Sequence, residues 1–530
     1  MLTAAGGRAP SPLEAILFGT GTNYLKVALR LIGGLFTFRL LFQALPAQDF
    51  GFYQLLWSTF GYVVLFDFGF GVSLQRAMAM SLGAGDAARR DRREVLSTVF
   101  FACLALDLAI AAALYFGGHR LLHGLAFDGN AATDKYRTVA VLFALGMLAA
   151  FPFGIFREVL RGLNRLHVTN LIELPFVALQ AVLIAWGCVT GKSLAWLMGA
   201  AVACVVLPIW TCALVCLRDD DLRPRLRDFR LGRLREISSF SLIAYLGTMT
   251  GLVLAQSDQL VIGAMVSVQA VALYVPGAKL TQSYGMLAMQ LQDTLGPVAA
   301  RLGRLGDAQE RKAALRQLLL TSQRWALLAG TLLVVPLLAS PRGALAVITG
   351  QQAAAPEMLQ TAVLLVASVY FGIAGASCTK RILFMIGHHR ATLAFSLVEA
   401  GLNLGLSLYW CWSWKSGVGA PAGTLVATVC VSLVALPVHA CRTLGVSPRE
   451  FLLEACGRAL LANAGALAAA AIYWGLLPPA AGVVHFLAGC ALCAAAGLPG
   501  WWLVGMLDDE RSRVLSALRR ALPTRTPTEL

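Results

Sequence analysis

The chain has 530 residues, of which 58% are apolar and only 13% charged. An average soluble protein is about 45–50% apolar and roughly 25% charged, so a soluble enzyme, a disordered scaffold and a secreted disulfide module are excluded. A polytopic membrane protein remains, and its net charge is +15, from 43 Lys and Arg against 28 Asp and Glu.

A spanning helix needs about 20 mostly apolar residues. In chain order, runs that meet this cover 23–44, 51–79, 95–116, 138–156, 168–189, 194–217, 237–264, 270–299, 317–340, 357–379, 391–412, 419–440, 452–476 and 481–506. The expected fold class is therefore an all-α polytopic membrane protein with about 14 transmembrane helices. Pro152, Pro175, Pro276 and the pair Gly33-Gly34 fall inside these runs. Bilayer helices tolerate them when neighbouring helices satisfy the freed backbone groups.

Basic residues orient the array. With a cytoplasmic N-terminus, the inside segments hold 30 of the Lys and Arg and the outside loops 6, as the positive-inside rule requires. Both termini are then cytoplasmic. The basic clusters have no aromatic interleaving, so a nucleic-acid partner is not expected. Aromatic clusters agree: Tyr409-Trp410-Cys411-Trp412-Ser413-Trp414 and Tyr473-Trp474 fall at outer ends, where amphipathic rings prefer the headgroup level. Residues 1–12 carry one Arg, two Pro and no small-residue cleavage site, so no signal peptide is expected.

The longest inside linker, 218–236, reads RDDDLRPRLRDFRLGRLRE and follows six spans. Features on either side of it echo each other about 221–225 residues apart. Asp49-Phe50-Gly51-Phe52-Tyr53 matches Ala270-Val271-Ala272-Leu273-Tyr274, and Gly162-Leu163-Asn164-Arg165 matches Gly387-His388-His389-Arg390. Six is even, so the halves are expected as parallel repeats. The expected domains are a six-helix bundle at 1–217, the basic linker, a second six-helix bundle at 237–440, and two extra helices with a basic tail at 441–530.

Charges inside the spans carry the chemistry, because each costs roughly 2.5–3.5 kcal/mol at mid-membrane and usually faces a wet interior. In the first span Lys26 reads as snorkelling to the headgroups, while Arg30 and Arg39 read as cavity lining. Arg39 shares that cavity only if Gly33-Gly34 bends or unwinds the helix. In the eighth span Lys279, Gln282, Met286, Gln290 and Asp293 fall within about 80° of one another at roughly 100° per residue. A lysine there with no acid at i±4 suits an anion such as a pyrophosphate. Arg324 in the ninth span is a further basic candidate. Asp67, Asp258 and Glu399 are candidate ion-coupling carboxylates, able to exchange protons or hold Na⁺, with an ion pair to Lys279 or Arg39 an equal possibility for Asp258. Asp107 and Glu173 read as packing contacts.

No metal, cofactor or catalytic site is expected. Of twelve cysteines only Cys490-Ala-Leu-Cys493 has ligand spacing, and it sits mid-span without acids, where Cys behaves as a small hydrophobe. His388-His389 lacks a third ligand. Gly19-Thr20-Gly21 follows no strand, so it is not a nucleotide fingerprint.

Several segments resemble polysaccharide flippases of the multidrug/oligosaccharidyl-lipid/polysaccharide exporter superfamily, in the O-antigen and exopolysaccharide branch. They are Asp49-Phe50-Gly51-Phe52-Tyr53, Phe66-Asp67-Phe68-Gly69-Phe70-Gly71, Gln75-Arg76, Arg161-Gly162-Leu163-Asn164-Arg165, Ser257-Asp258-Gln259-Leu260-Val261-Ile262-Gly263 and Val271-Ala272-Leu273-Tyr274 with Ala278-Lys279-Leu280. The resemblance implies a flippase carrying undecaprenyl-pyrophosphate-linked oligosaccharide to the periplasmic leaflet of the bacterial inner membrane. It implies a lipid-linked oligosaccharide, membrane lipids and H⁺ or Na⁺ as partners, and a polysaccharide polymerase complex nearby. Many members of that branch have twelve spans. The lipid II flippase branch has fourteen, the last two helping to form a lipid-tail groove.

Two other readings compete. A lipid II flippase or a cation-coupled multidrug exporter of the same superfamily would share the fold, but an exporter of organic cations should line its cavity with acids, and seven basic residues lie within the spans here. A glycosyltransferase, polymerase or ligase needs catalytic groups on substantial outer loops. The outer loops offer only His119, His123 and Asp128, so an enzyme is not expected.

Overall fold

The computed structural model describes residues 29–512 except residue 31, parts of 64–85, residues 124–132, residue 164, parts of 289–306, and residues 351–354 and 477–481. Among the described residues every regular element is helical and none is a strand. Nine helices there are long and apolar enough to cross a bilayer, and a pair, Pro448–Ala462 and Ala464–Leu476, bent by 42°, passes the same test only when taken together. Each coincides with an expected run. The other four runs carry helix at Ile32–Ala44, Ala47–Val63, Leu231–Met265 and Val268–Ala288, so the structure supports the all-helical membrane fold without fixing the count at fourteen.

The spans are apolar around most of their circumference, the pattern of elements buried in protein or lipid rather than lying on water. Leu166–Val189 makes the point: only 17% of its most apolar stretch is buried, and Leu171, Leu179, Val182 and Val189 are exposed. In water such a face would be a liability; in hydrocarbon it is a solvated one. Its short connection to Leu194–Leu217 closes with Gly191 at φ +63° and with the Ser193 hydroxyl accepting from the Trp196 amide at 3.3 Å. The Lys192 ammonium lies 5.0 Å from the centre of the Trp186 ring, a pairing suited to the interface.

The chain divides into two compact units, Met1–Val275 with Ser407–Ala420, and Pro276–Leu406 with Pro421–Leu530. In the first unit a core forms from Leu74, Met78, Leu96, Val99, Phe156, Val159, Leu160 and Cys212. Small residues let backbones approach: a Cβ on Gly51 would overlap the Val268 carbonyl oxygen and crowd the Ala272 amide. The helix-helix contact is thus set by the absence of a side chain.

The 218–236 linker is docked onto the first unit. Short 3₁₀ turns at Asp220–Leu222 and Leu226–Asp228 bring its backbone to helix Asp86–His123. The Arg225 amide donates to the Ser97 hydroxyl at 3.0 Å and the Arg230 amide to Thr98 at 3.1 Å. Leu222 is buried beside them, Arg92 and Arg93 pair with Asp221, and Arg233 pairs with Asp91.

In the second unit helix Ala308–Ala339 runs through the core. It starts at an Asp307 cap whose carboxylate accepts from the Gln309 and Glu310 amides. The C-terminal helices belong to the same unit. At their bend Asn463 is fully buried; its amide donates to the Leu328 and Ala459 carbonyls at 3.2 and 2.9 Å and accepts from the Trp501 indole at 3.0 Å. Every polar capacity facing the core there is used, as a buried amide requires. A Cβ on Gly500 would overlap the Ala462 carbonyl oxygen, so these helices meet backbone to backbone.

Candidate substrate and ion sites

The expected basic residues fall into three situations. Arg30 donates to the buried Glu173 carboxylate at 3.0 Å, and Arg157 approaches its other oxygen at 3.4 Å. Glu173 is 3% exposed while the Arg30 side chain is half exposed. One carboxylate between two guanidiniums leaves this trio with a surplus positive charge. The packing role expected for Glu173 fits this geometry.

Arg39 is half-buried and makes no hydrogen bond or ion pair among the described residues. Helix Ile32–Ala44 runs unbroken through Gly33 and Gly34. The Thr37 hydroxyl donates back to the Gly33 carbonyl at 2.8 Å. The two glycines are not unwound within this described stretch, so of the two alternatives for bringing Arg39 to the Arg30 cavity, a bend of the helix is the one left.

Lys279 is half-buried on helix Val268–Ala288, and its ammonium donates to the Gln282 amide oxygen at 3.3 Å. No carboxylate pairs with it among the described residues. Gln282 and Met286 are exposed, whereas Leu280, Thr281 and Tyr284 on the other side are buried. The described part of the polar stripe is therefore the unpacked face of its helix. Gln290 and Asp293, which would extend it, lie outside the described residues, as do Lys26 and Asp67.

Arg324 has a different setting. It is 4% exposed, and its guanidinium pairs with Glu510 at 2.5 Å, where the Trp325 indole also donates at 3.2 Å. Its charge is neutralised within the protein.

The two described acidic candidates are held by hydroxyls. Asp258 is 1% exposed and accepts from the Tyr274 hydroxyl at 3.1 Å and from Ser407 at 3.4 Å. Glu399 is 7% exposed and accepts from Ser432 at 2.8 Å, with Lys380 as its near cation. Ser432 belongs to a π-helical stretch, Thr428–Ala435, in span Gly419–Leu444. Such widened turns recur at functional positions in helices.

Sequence reasoning missed the frame around these acids. On helix His389–Trp414, Thr392, Ser396, Glu399, Asn403 and Ser407 are all buried and fall within about 80° of one another at roughly 100° per residue. The Asn403 amide donates to Thr424 at 2.7 Å. The signal was present as spacings of three and four in an apolar span, but it lacks the lone cation that singled out the eighth span. No group of three or more metal-ligating side chains occurs among the described residues.

The fold is shared with solved transporters. The chain resembles a structure described as lipid II flippase MurJ in an inward closed conformation, with a TM-score of 0.68 at 13% identity, covering 92% of this chain and 98% of that one. It also resembles an inward-facing multidrug resistance MATE family transporter of the MOP superfamily, with a TM-score of 0.58 at 16% identity, covering 80% and 96%. A third similar structure is a MOP superfamily transporter from Pyrococcus furiosus, described as having a binding pocket of reverse polarity, with a TM-score of 0.51 at 17% identity, covering 83% and 98%. Comparison of the sequence with curated proteins gives no match. The pattern of the polysaccharide biosynthesis protein family matches residues 25–302, just over half of the chain. On that match, the chain, a multi-pass helical membrane protein with the fold of MOP superfamily transporters, belongs to the polysaccharide biosynthesis protein family.

Proposed function

We propose that this protein is a flippase that moves undecaprenyl-pyrophosphate-linked oligosaccharide units from the cytoplasmic to the periplasmic leaflet of the bacterial inner membrane, for assembly of a surface polysaccharide. The observation that supports the reading is that the intramembrane cations Arg39 and Lys279 have no counter-ion among the described residues, in a member of the polysaccharide biosynthesis family. Buried or half-buried cations of this kind are costly unless an anion completes them. A pyrophosphate supplies charge and acceptor oxygens while its lipid chain stays in hydrocarbon.

In this reading Arg30, Arg39, Lys279, Gln282 and Gln290 receive the headgroup, with Arg324 as a further basic candidate. The bundles 1–217 and 237–440 alternate access, with both termini cytoplasmic. Asp67, Asp258 and Glu399 couple the cycle to H⁺ or Na⁺, since no nucleotide-binding motif supplies another energy source. The protein performs transport without enzymatic chemistry and hands its cargo to a polysaccharide polymerase complex.

The test is a deletion strain assayed for undecaprenyl-linked intermediates in the cytoplasmic leaflet, with the glycan identified by mass spectrometry. Accumulation of a lipid-linked repeat unit, reversed by the intact gene, is the expected result. Unchanged lipid-linked sugars with increased sensitivity to organic cations would overturn the reading in favour of a multidrug exporter. Accumulation of lipid II would favour the peptidoglycan branch.

A further inference from the structure

The 218–236 linker carries two leucines that nothing in its docked arrangement explains. Leu226 is 72% exposed and Leu231 71% exposed, although Leu222 in the same linker is buried and the backbone between them is fastened to Ser97 and Thr98. The segment is thus a fixed platform that holds two large apolar side chains outward.

The charges around these leucines are unbalanced. The four aspartates of the linker are engaged locally: Asp219 accepts from the Asp221 amide, Asp220 pairs with Arg223, Asp221 lies between Arg92 and Arg93, and Asp228 lies beside Arg227. Arg225, Arg230 and Arg235 have no carboxylate partner among the described residues, and Arg230 and Arg235 are exposed. Residue 218 follows directly on span Leu194–Leu217, and helix Leu231–Met265 begins at the other end. The linker therefore sits at the depth where a span leaves the membrane.

From this juxtaposition we infer that the linker is a docking surface for anionic phospholipid of the cytoplasmic leaflet, with Leu226 and Leu231 entering the acyl boundary and Arg225, Arg230 and Arg235 holding the phosphate headgroups. Apolar side chains interleaved with basic ones bind such surfaces by combining insertion with attraction to anionic lipid. The inference concerns the platform alone and does not depend on what cargo the protein carries.

The experiment uses the purified full-length protein in nanodiscs of phosphatidylcholine, with or without phosphatidylglycerol at about a third of the lipid. Native mass spectrometry after release counts retained lipids, and hydrogen exchange follows residues 222–232. The intact protein is expected to retain phosphatidylglycerol over phosphatidylcholine, with exchange in the linker slowed at least threefold by the anionic lipid. R225Q/R230Q/R235Q is expected to lose that retention about tenfold, and the corresponding triple Lys variant to keep most of it. Equal exchange of the intact protein in both membranes would overturn the inference, and this arm needs no substitution. Equal lipid retention by the Gln variant and the intact protein would overturn it too, as would loss of neutral and anionic lipid in equal measure.

Discussion

Arg324 and Glu510, 186 positions apart in the chain, form an ion pair 2.5 Å long, its arginine buried and its carboxylate half-buried, that joins the central helix of the second unit to the segment after the last apolar helix. The other Glu510 oxygen accepts from the Leu507 amide at 2.8 Å, so the carboxylate also organises the turn that presents it. Removing one member of a buried pair strands the other without solvent.

E510Q is therefore expected to destabilise the protein by about 3 kcal/mol, seen as a lower thermal unfolding temperature in detergent. R324L/E510L should recover most of that loss, because it removes both charges. A double variant as unstable as the single one would show that the pair is not the source of the effect.

Lys279 tests the anion site. K279A should leave membrane abundance unchanged and reduce polysaccharide export tenfold or more, since a hydrogen bond to a charged group contributes roughly 1.5–3 kcal/mol. K279R should retain part of the activity. Normal export by K279A would remove Lys279 from the substrate site.

Arg39 gives an independent measurement at a residue that pairs with nothing described. R39A is expected to weaken export with little cost to stability, because no partner is stranded. A fall in stability with export intact would make Arg39 a packing residue.

At Asp258 and Glu399 hydroxyls donate the hydrogen bonds and can rotate to accept as well, with Lys380 a further cation near Glu399. D258N and E399Q should therefore fold, with stability changes of about 1 kcal/mol or less. Transport in vesicles should lose its response to an imposed proton or sodium gradient. A variant that keeps the full response places coupling elsewhere.

The positions of the helices were legible because an apolar run of membrane length has few alternatives: the run 194–217 and helix Leu194–Leu217 coincide. What periodicity could not supply was the partner of each charge. Nothing near Glu173 in the sequence announces Arg30, and Arg324 read as a free cation because Glu510 lies beyond the last span. The basic linker's composition does not announce its docking either, since its backbone amides find the Ser97 and Thr98 hydroxyls far back in the chain. Residues 64–69, which include Asp67, lie outside the described structure, so that candidate stands on sequence alone.

The buried Asn463 ties the last helices into the core of the second unit. A chain shortened at residue 440 would lose the side chain that donates to the Leu328 carbonyl, the indole that donates to that side chain and the counter-charge of Arg324 together. Any comparison with shorter relatives must therefore ask what fills that seam, and a tag or fusion is best carried beyond residue 512, where it leaves the Glu510 anchorage whole.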